Sequence, residues 1–373
     1  MAHSYTPGLR VAEATVITKE RRLPLRGDVL VSVGQHLAAE DVVARTALPG
    51  NVTPLNAANI LGVTPPEVAT ALLVKPGDRV EKDQVIAQSK SFFGLFKSQL
   101  KAPISGVLES VSDVTGQIIF RDPPIPVEID AYLDGRVTEV FPQEGIEIQA
   151  QGAFIQGIFG IGGETYGTIQ MVCSSPDQVL DESKIPADAR RKILVGGSLV
   201  TLGAVQKAIQ AKAAALVVGG FHSLDLRKLL GYELGVAITG GEQIGLTLIL
   251  TEGFGQIAMA RRTFDMLTRN EGHMASCSGA TQIRAGVMRP EIIITRKDVT
   301  HHIPHDYEGQ GLDVGTLVRV IREPYFGQLG KVTALPPELT PLETEAKVRV
   351  LEVQLEGGAK VMLPRANVEL IEG

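Results

Sequence analysis

The sequence predicts a multidomain chain: a β-rich region, then an α/β domain with a mostly parallel sheet, then a small β-barrel. Three observations carry this prediction. Short apolar segments separated by glycine turns repeat in the first 150 residues, strands alternate with helical segments after Arg191, and short strands return near the carboxyl terminus. The chain has 373 residues, 44% of them hydrophobic, which suffices for about two to four domains with buried cores.

These patterns place the β-rich region at 1–190, the α/β domain at 191–297, a linker at 298–312 and the terminal barrel at 313–373. The net charge of −6 gives no general reason to expect nucleic acid or an acidic membrane as a partner. The charge is uneven, because the α/β segment carries thirteen basic and seven acidic residues, a net +6, and the remainder carries −12. A basic domain between acidic ones either binds an anion or docks on its neighbours.

Two repeats organise the β-rich region. VLVSVGQHLAAEDVVA (29–44) matches LLVKPGDRVEKDQVIA (72–87), and SGVLESVSDVTGQIIFR (105–121) matches DGRVTEVFPQEGIEIQA (134–150). Each unit has the pattern of two apolar strands joined through a glycine turn. Since a lone hairpin cannot bury its apolar face, we expect the four units to form two pseudo-symmetric sets that close a small β-sandwich or barrel.

The segments VKPGDRVEKDQVIAQ and KAPISGVLESV resemble the barrel-sandwich hybrid fold of biotinyl and lipoyl domains, and the resemblance covers roughly residues 10–150. In carriers of that family the modified lysine lies at a hairpin tip, in a Met-Lys-Met or Asp-Lys-Ala setting. Here the tip is longer, and Lys90, Lys97 and Lys101 lack that setting. The resemblance therefore implies an unmodified domain, without biotin, lipoate or another cofactor.

Three phenylalanines, Phe92, Phe93 and Phe96, crowd this tip. One interpretation is an aromatic contact surface for a partner or a second copy of the chain. The other is that the rings fill the chain's own core or a domain interface, since exposed apolar patches are uncommon on monomers.

Strands alternate with helices in the α/β segment. The predicted strands are KILVGG (192–197), ALVVGG (215–220), GVAITGG (235–241), LTLILTEG (246–253) and EIIIT (291–295). The predicted helices are 201–213, 223–231 and 255–272. Thr201 and Ser223 are candidate N-caps, and Gly231 is a candidate helix stop.

Small or polar residues end these strands. Ligands of open α/β sheets lie beyond the carboxyl ends of the strands, where backbone N–H groups suit an anion. The candidate anion-binding residues are Gly197, Ser198, Gly220, Gly241, Glu252 and Gly253. The alternative is that tight turns in compact domains need glycine, and neither GxGxxG nor GxxxxGK[ST] occurs.

Residues suited to catalysis are few, and the sequence leans away from an enzyme. Glu252 and His222 form an acid–base pair only if the fold brings them together. Cys277 has no identifiable activating base and is predicted to be a buried structural thiol. The chain has one other cysteine, Cys173, and the spacing of the two fits neither a metal site nor a disulfide framework. This favours a reducing cytoplasm.

Two further features of the sequence, a group of histidines and the apolar segments, predict neither a metal site nor a membrane segment. His301, His302, His305 and Asp306 fit no standard zinc spacing, so a plain linker is predicted and no metal is expected. The first residues lack an apolar signal segment, and no run of about 18 apolar residues predicts a transmembrane helix.

The segment VGTLVRVIREPYFGQLGKVTAL resembles a KOW motif, with its turn at Tyr325 and Phe326 and coverage of about residues 312–373. The resemblance implies a small SH3-like barrel of a kind that contacts RNA or protein in ribosomal proteins and transcription elongation factors. Nine acidic residues outnumber seven basic ones here, which argues against a non-specific phosphate grip. A protein contact through Tyr325 and Phe326 is the favoured interpretation.

The leading functional hypothesis is a non-catalytic binding or scaffold protein that acts through protein–protein contacts, including self-association into a homo-oligomer. One alternative is an RNA-, transcription- or translation-associated factor acting through the KOW-like region. The other is a protein or enzyme that binds a small anionic ligand at the glycine-rich strand ends.

Overall fold

The computed structural model describes residues 9–90, 97–232, 239–282, 288–296, 312–320, 325, 328–341, 347–355 and 358–372. The chain is mostly β-structure, divided among several sheets. The elements of its first part are β1 (Leu9–Arg22), β2 (Asp28–Val29), β3 (His36–Leu37), β4 (Val42–Leu48), β5 (Val52–Asn56), α1 (Ala57–Leu61), α2 (Pro65–Ala71), β6 (Arg79–Val80), β7 (Val85–Lys90), β8 (Lys97–Lys101), β9 (Gly106–Val111), β10 (Gln117–Arg121), β11 (Ile125–Asp130), β12 (Gly135–Phe141) and β13 (Gly145–Gln156).

Strand pairing divides this first part into two copies of one β-unit. We call residues 9–48 with 125–150 the outer module, and residues 51–122 the inserted module. In the outer module β3 pairs with β12, and in the inserted module β6 pairs with β9 in the same register. The antiparallel pairs β4–β11 and β7–β8 also carry a bulge at the same place. The repeated sequence units therefore correspond to repeated structure.

The turns of the two modules are closed by equivalent hydrogen bonds. The Ser32 N–H donates to Gln35 Oε1 at 3.1 Å, and the Lys75 N–H donates to Asp78 Oδ2 at 2.8 Å. The intervening Gly34 and Gly77 both have positive φ, at 86° and 95°. Glutamine and aspartate are interchangeable at this position because each supplies a side-chain oxygen to the turn.

The inserted module lies within a hairpin of the outer one, between β4 and β11. Two cores result, rather than one closed sandwich, because each unit of the first repeat pairs with a unit of the second. Among the described residues, the core of the inserted module is drawn from positions 55–120. The core of the outer module also takes Phe154 and Ile293, which lie further along the chain.

A central unit follows, with four parallel strands at its heart. Its elements are β14 (Phe159–Ile161), β15 (Glu164–Met171), β16 (Val179–Leu180), a 3₁₀ turn (Glu182–Lys184), β17 (Lys192–Val195), β18 (Leu199–Val200), α3 (Leu202–Gln210), β19 (Ala215–Phe221), α4 (Ser223–Leu230), β20 (Thr247–Phe254), α5 (Arg261–Arg269), β21 (Met274–Ser278) and β22 (Glu291–Thr295). Strands β15, β17, β19 and β20 are parallel neighbours, so the parallel sheet begins before the predicted boundary at residue 191.

Antiparallel strands join the two sides of this sheet. β15 pairs with β21, β21 with β22 and β22 with β13, while β20 pairs with β14, the continuation of β13. The pairing therefore returns to its starting strand in a closed circuit. Helices α3 and α4 pack on one face of the sheet, and α5 packs on the other.

The helix signals of this unit have mixed outcomes. Thr201 caps α3 as predicted, since its Oγ1 accepts the Ala204 N–H at 3.1 Å. Gly231 ends α4 in the left-handed conformation as predicted, but the N-cap of α4 is His222, and Ser223 is the first helical residue. Of the predicted strand at 235–241, positions 235–238 lie outside the described residues and 239–241 are irregular.

The last part of the chain forms its own small sheet and core. Its elements are β23 (Leu317–Val320), β24 (Leu329–Ala334), β25 (Leu339–Pro341), β26 (Lys347–Leu355), β27 (Lys360–Pro364), a 3₁₀ turn (Arg365–Asn367) and β28 (Val368–Glu372). β23 pairs with β24 and β28, and β26 pairs with β24 and β27. Tyr325 is half-buried against this core, and β28 runs parallel to the start of β1.

Several predicted features fall outside the described residues: Phe92, Phe93, Phe96, Phe326, the four candidate metal ligands from His301 to Asp306 and most of the linker. No helix in the described ranges is long and apolar enough to cross a membrane.

Candidate functional site

The carboxyl edge of the parallel sheet gathers five of the six predicted anion-binding residues: Gly197, Ser198, Gly220, Glu252 and Gly253. Their neighbours approach closely. The Ser198 N–H donates to Gln178 O at 2.9 Å and its Oγ donates to Asp177 O at 2.6 Å. A Cβ at Gly220 would lie 2.0 Å from Gly255 O. These contacts explain the small residues by tight packing, and anion binding at this edge stays a prediction.

Glu252 at this edge is held by protein groups. Its Oε1 accepts the Ala260 N–H at 2.9 Å, and its Oε2 forms an ion pair with Arg319 from β23. The two side chains are 6% and 3% exposed, so the C-terminal sheet covers this part of the edge. His222, the proposed acid–base partner, is exposed at the start of α4.

The sixth predicted residue, Gly241, belongs to a different region. It is exposed beside Glu242, whose Oε2 accepts the N–H groups of Gly162 at 3.1 Å and Gly240 at 2.8 Å. Glu242 lines a cleft at the opposite, amino edge of the same sheet. Gly241 is therefore not grouped with the other five, because positions 239–245 do not continue the parallel sheet.

This cleft has a volume of about 850 Å³ and lies between the outer module and the central unit. Its walls are the starts of β15, β17, β19 and β20 on one side and β11 with part of β1 on the other. Arg191 and Lys212 precede β17 and β19 with φ of 58° and 59°. A left-handed conformation costs a non-glycine residue roughly 1–2 kcal/mol. The surrounding structure therefore holds the backbone of these two residues in a conformation that is unfavourable by itself.

Arg21 on β1 links the two walls of the cleft. Its Nη1 and Nη2 donate to the two carboxylate oxygens of Glu164 at 2.7 and 2.6 Å, and its Nε donates to Asp130 O at 2.8 Å. The guanidinium also lies 5.2 Å from the centroid of the Tyr132 ring. This bidentate geometry is the strong form of an arginine–carboxylate contact, and it leaves Arg21 fully engaged by the protein.

Asp130 is a partly desolvated carboxyl group of the cleft. Desolvation raises the pKa of Asp130, Arg21 opposes that shift, and the charges of Glu164 and Glu128 add to it. Desolvation, followed by the charge of Asp130, likewise raises the pKa of Tyr166 nearby. A raised carboxyl pKa means that the ionised form lacks sufficient compensation, so the cleft favours an added positive charge at Asp130.

The charges that line the cleft are unequal in number. Carboxylates outnumber cations by five to three, and the members are Glu40, Glu128, Asp130, Glu164, Glu242, Arg21, Arg191 and Lys212. Two of the cations are already paired, Arg21 with Glu164 and Arg191 with Glu40. These residues come from distant segments, and Arg21 and Glu164 are 143 positions apart. Residues this far apart form no short sequence motif, so the sequence alone does not predict the cleft.

A buried polar network lies behind the cleft. The Tyr132 hydroxyl donates to Glu291 at 3.2 Å, and Glu291 pairs with Lys19 at 2.6 Å. Burial raises the pKa of Tyr132 well above its usual range and that of the Cys277 thiol strongly, and Glu291 adds to both shifts. Cys277 is thus a buried thiol, as predicted. Its protonated state gives it no nucleophilic character.

Among the described residues, no group of three or more histidine, cysteine, aspartate or glutamate side chains has the geometry to hold a metal ion. A comparison with models of protein families finds no match. A search of curated protein sequences finds no match either.

Proposed function

We propose that this chain is a non-catalytic binding protein that holds a basic segment of a protein partner in the cleft at the amino edge of its central sheet. The observation that carries the proposal is the surplus of carboxylates in a cleft whose two arginines are already paired. A lysine or arginine side chain from a partner would supply the missing positive charge beside Asp130 and Glu128.

The dimensions of the cleft fit this occupant. Its volume of about 850 Å³ lies within the range of ligand pockets, about 300–1,000 Å³. Its two walls come from separate units joined by Arg21, so the cleft has a defined width. A short segment with one or two basic side chains matches both the size and the charge.

Neither thiol is suited to act as a nucleophile. Burial raises the pKa of Cys173 and of Cys277, which keeps both sulfurs protonated at neutral pH. Four of the eight charged groups of the cleft pair with one another, Arg21 with Glu164 and Arg191 with Glu40.

We propose further that both β-modules are unmodified barrel-sandwich hybrids and that the C-terminal sheet is an SH3-like barrel of the KOW type. The matched turns and bulges of the two modules support the first assignment. The four successive pairings that join five C-terminal strands support the second. Intact-mass measurement that shows no adduct on Lys90, Lys97 or Lys101 tests the absence of a carrier lysine.

The binding proposal is tested with a fluorescent peptide that contains alternating arginine and glycine, titrated against the full chain and read by anisotropy. We expect saturable binding that weakens about fivefold to tenfold in an Asp130→Asn, Glu128→Gln variant. Glu109→Gln in the inserted module is the matched control, because it removes a carboxylate that does not line the cleft. Equal loss in the control and the cleft variant, or no saturable binding, would contradict the proposal.

A further inference from the structure

A second cavity, of about 720 Å³, lies at a gap in the sheet of the outer module. β1 pairs along one flank of β13, while β12 and β22 share its other flank. β12 covers positions 145–149 of β13, and β22 covers positions 152–156. The ends of β12 and β22 therefore meet beside Ala150 and Gln151, and the break between them forms a groove.

The register of the strands determines which side chains line the groove. Arg136 at the start of β12 is directly opposite Gln149, so the two side chains share one face. Gln151 lies two positions further along β13 and returns to that same face. The Arg296 N–H, just beyond β22, donates to Gln151 O at 2.9 Å. Two arginines thus flank two glutamines across the gap.

The lining of this groove has the opposite charge balance to the cleft. Arg136 and Arg296 contribute two positive charges, and Asp134 is the one carboxylate among its described lining residues. The Asp134 Oδ1 accepts the Ala39 N–H at 2.8 Å, so part of its charge is used within the protein. Arg136 Nε donates to Gly34 O at 3.3 Å, which orients the guanidinium at the rim.

We propose that this groove binds a small phosphorylated ligand of the size of a nucleoside diphosphate. Guanidinium groups attract phosphate oxygens, and two arginine charges on one face suit a diphosphate. The amides of Gln149 and Gln151 and the hydroxyl of Thr295 present donors and acceptors to the uncharged part of the ligand. The volume lies within the range of about 300–1,000 Å³ for ligand pockets.

The inserted module provides an internal comparison for this assignment. At its position equivalent to Arg136 it carries Val107, and the residue opposite Val107 is Arg121, which pairs with Glu109. An arginine at the start of this strand is therefore particular to the outer module. The fold itself does not require it, since β6 and β9 pair in the inserted module with Val107 at that position.

Isothermal titration of the full chain with adenosine diphosphate and with pyrophosphate, at low ionic strength, tests the proposal. We expect one saturable site that weakens about tenfold or more in an Arg136→Gln, Arg296→Gln variant. Gln151→Glu should weaken binding by a similar factor while both arginines remain, because it adds a negative charge to the groove. Arg45→Gln is the control, since it removes an exposed arginine of the same module outside the groove.

Thermal unfolding of each variant verifies that the fold persists. No saturable binding of either probe would overturn the proposal, as would an equal loss in Arg45→Gln, which would indicate general charge attraction. A single-stranded uridine oligonucleotide that binds far more tightly than adenosine diphosphate, with a steep salt dependence, would overturn it in favour of nucleic acid.

Discussion

The outer and inserted modules share one backbone plan and differ in what surrounds them. Equivalent turns are closed by Gln35 and Asp78, and equivalent glycines have positive φ. Yet the outer module continues through β13 into the central unit, whereas the inserted module fills a hairpin between β4 and β11. The same β-unit thus occurs once in continuous strand pairing with the central unit and once as an insertion within a hairpin.

The two modules differ at positions outside their buried cores. Asp130, which lines the cleft, is equivalent to Lys101 of the inserted module, and each residue follows the same bulge. Arg136 of the groove is equivalent to Val107. The duplicated unit keeps its turns and apolar positions, while the charges that form candidate sites occur in the outer copy.

The largest expected effect concerns independent folding. We expect residues 50–123 alone to unfold cooperatively, because the inserted module draws its described core from positions 55–120. We expect residues 9–150, with the insertion replaced by a Gly-Asn-Gly turn, to lack a cooperative transition, because Phe154 and Ile293 complete the core of the outer module. Circular dichroism melts and amide spectra distinguish these states. Cooperative folding of both pieces would mean that the modules are equivalent.

The next effect contrasts a buried ion pair with an exposed one. Arg319→Met leaves Glu252 buried without its partner, and we expect a cost of about 3–5 kcal/mol in the free energy of unfolding. Arg121→Met breaks the exposed pair with Glu109 in the inserted module and should cost about 1 kcal/mol or less. Urea denaturation of the full chain measures both. Similar costs would show that the contact of the C-terminal sheet is no stronger than a surface pair.

A smaller effect tests whether the turns are equivalent. Gly34→Ala and Gly77→Ala each place a Cβ in a left-handed turn, and we expect each to cost roughly 1–2 kcal/mol. Nothing lies within 4 Å of a Cβ at Gly77, whereas Arg136 Nη2 lies 3.3 Å from a Cβ at Gly34. Gly34→Ala should therefore be slightly the worse of the two. Chemical denaturation provides the comparison. An alanine that costs no stability at one of the two positions would show that the two turns are not equivalent.

The smallest effect concerns the charge of Asp130. Its pKa is raised in the folded state, so the folded protein binds the proton more tightly than the unfolded chain and gains stability as pH falls through that pKa. Asp130→Asn should therefore equal or slightly exceed the parent in stability at pH 7, while binding of the arginine peptide declines. Lys101→Gln, at the equivalent position, should change stability by less than about 0.5 kcal/mol. An Asp130→Asn variant that is less stable than the parent would contradict the inference that the ionised form of Asp130 is unfavourable in the folded state.

Binding of the arginine peptide to the parent protein should also weaken as pH falls. Protonation removes the charge that attracts the guanidinium, and the raised pKa of Asp130 starts this loss at a higher pH than for an ordinary aspartate. Anisotropy titrations across the acidic range measure it, and a binding constant that does not vary with pH would exclude Asp130 from the contact.

Local information in the sequence determined the repeats, their glycine turns and the Thr201 cap, because turn chemistry and apolar periodicity act over a few residues. The tertiary structure alone decided which residues share a site. It separated Gly241 from the other strand-end residues, joined Glu252 to Arg319 across 67 positions and Arg21 to Glu164 across 143. The physical reason is that long-range strand pairing brings these groups together, and single charges at such separations leave no periodic pattern in the sequence.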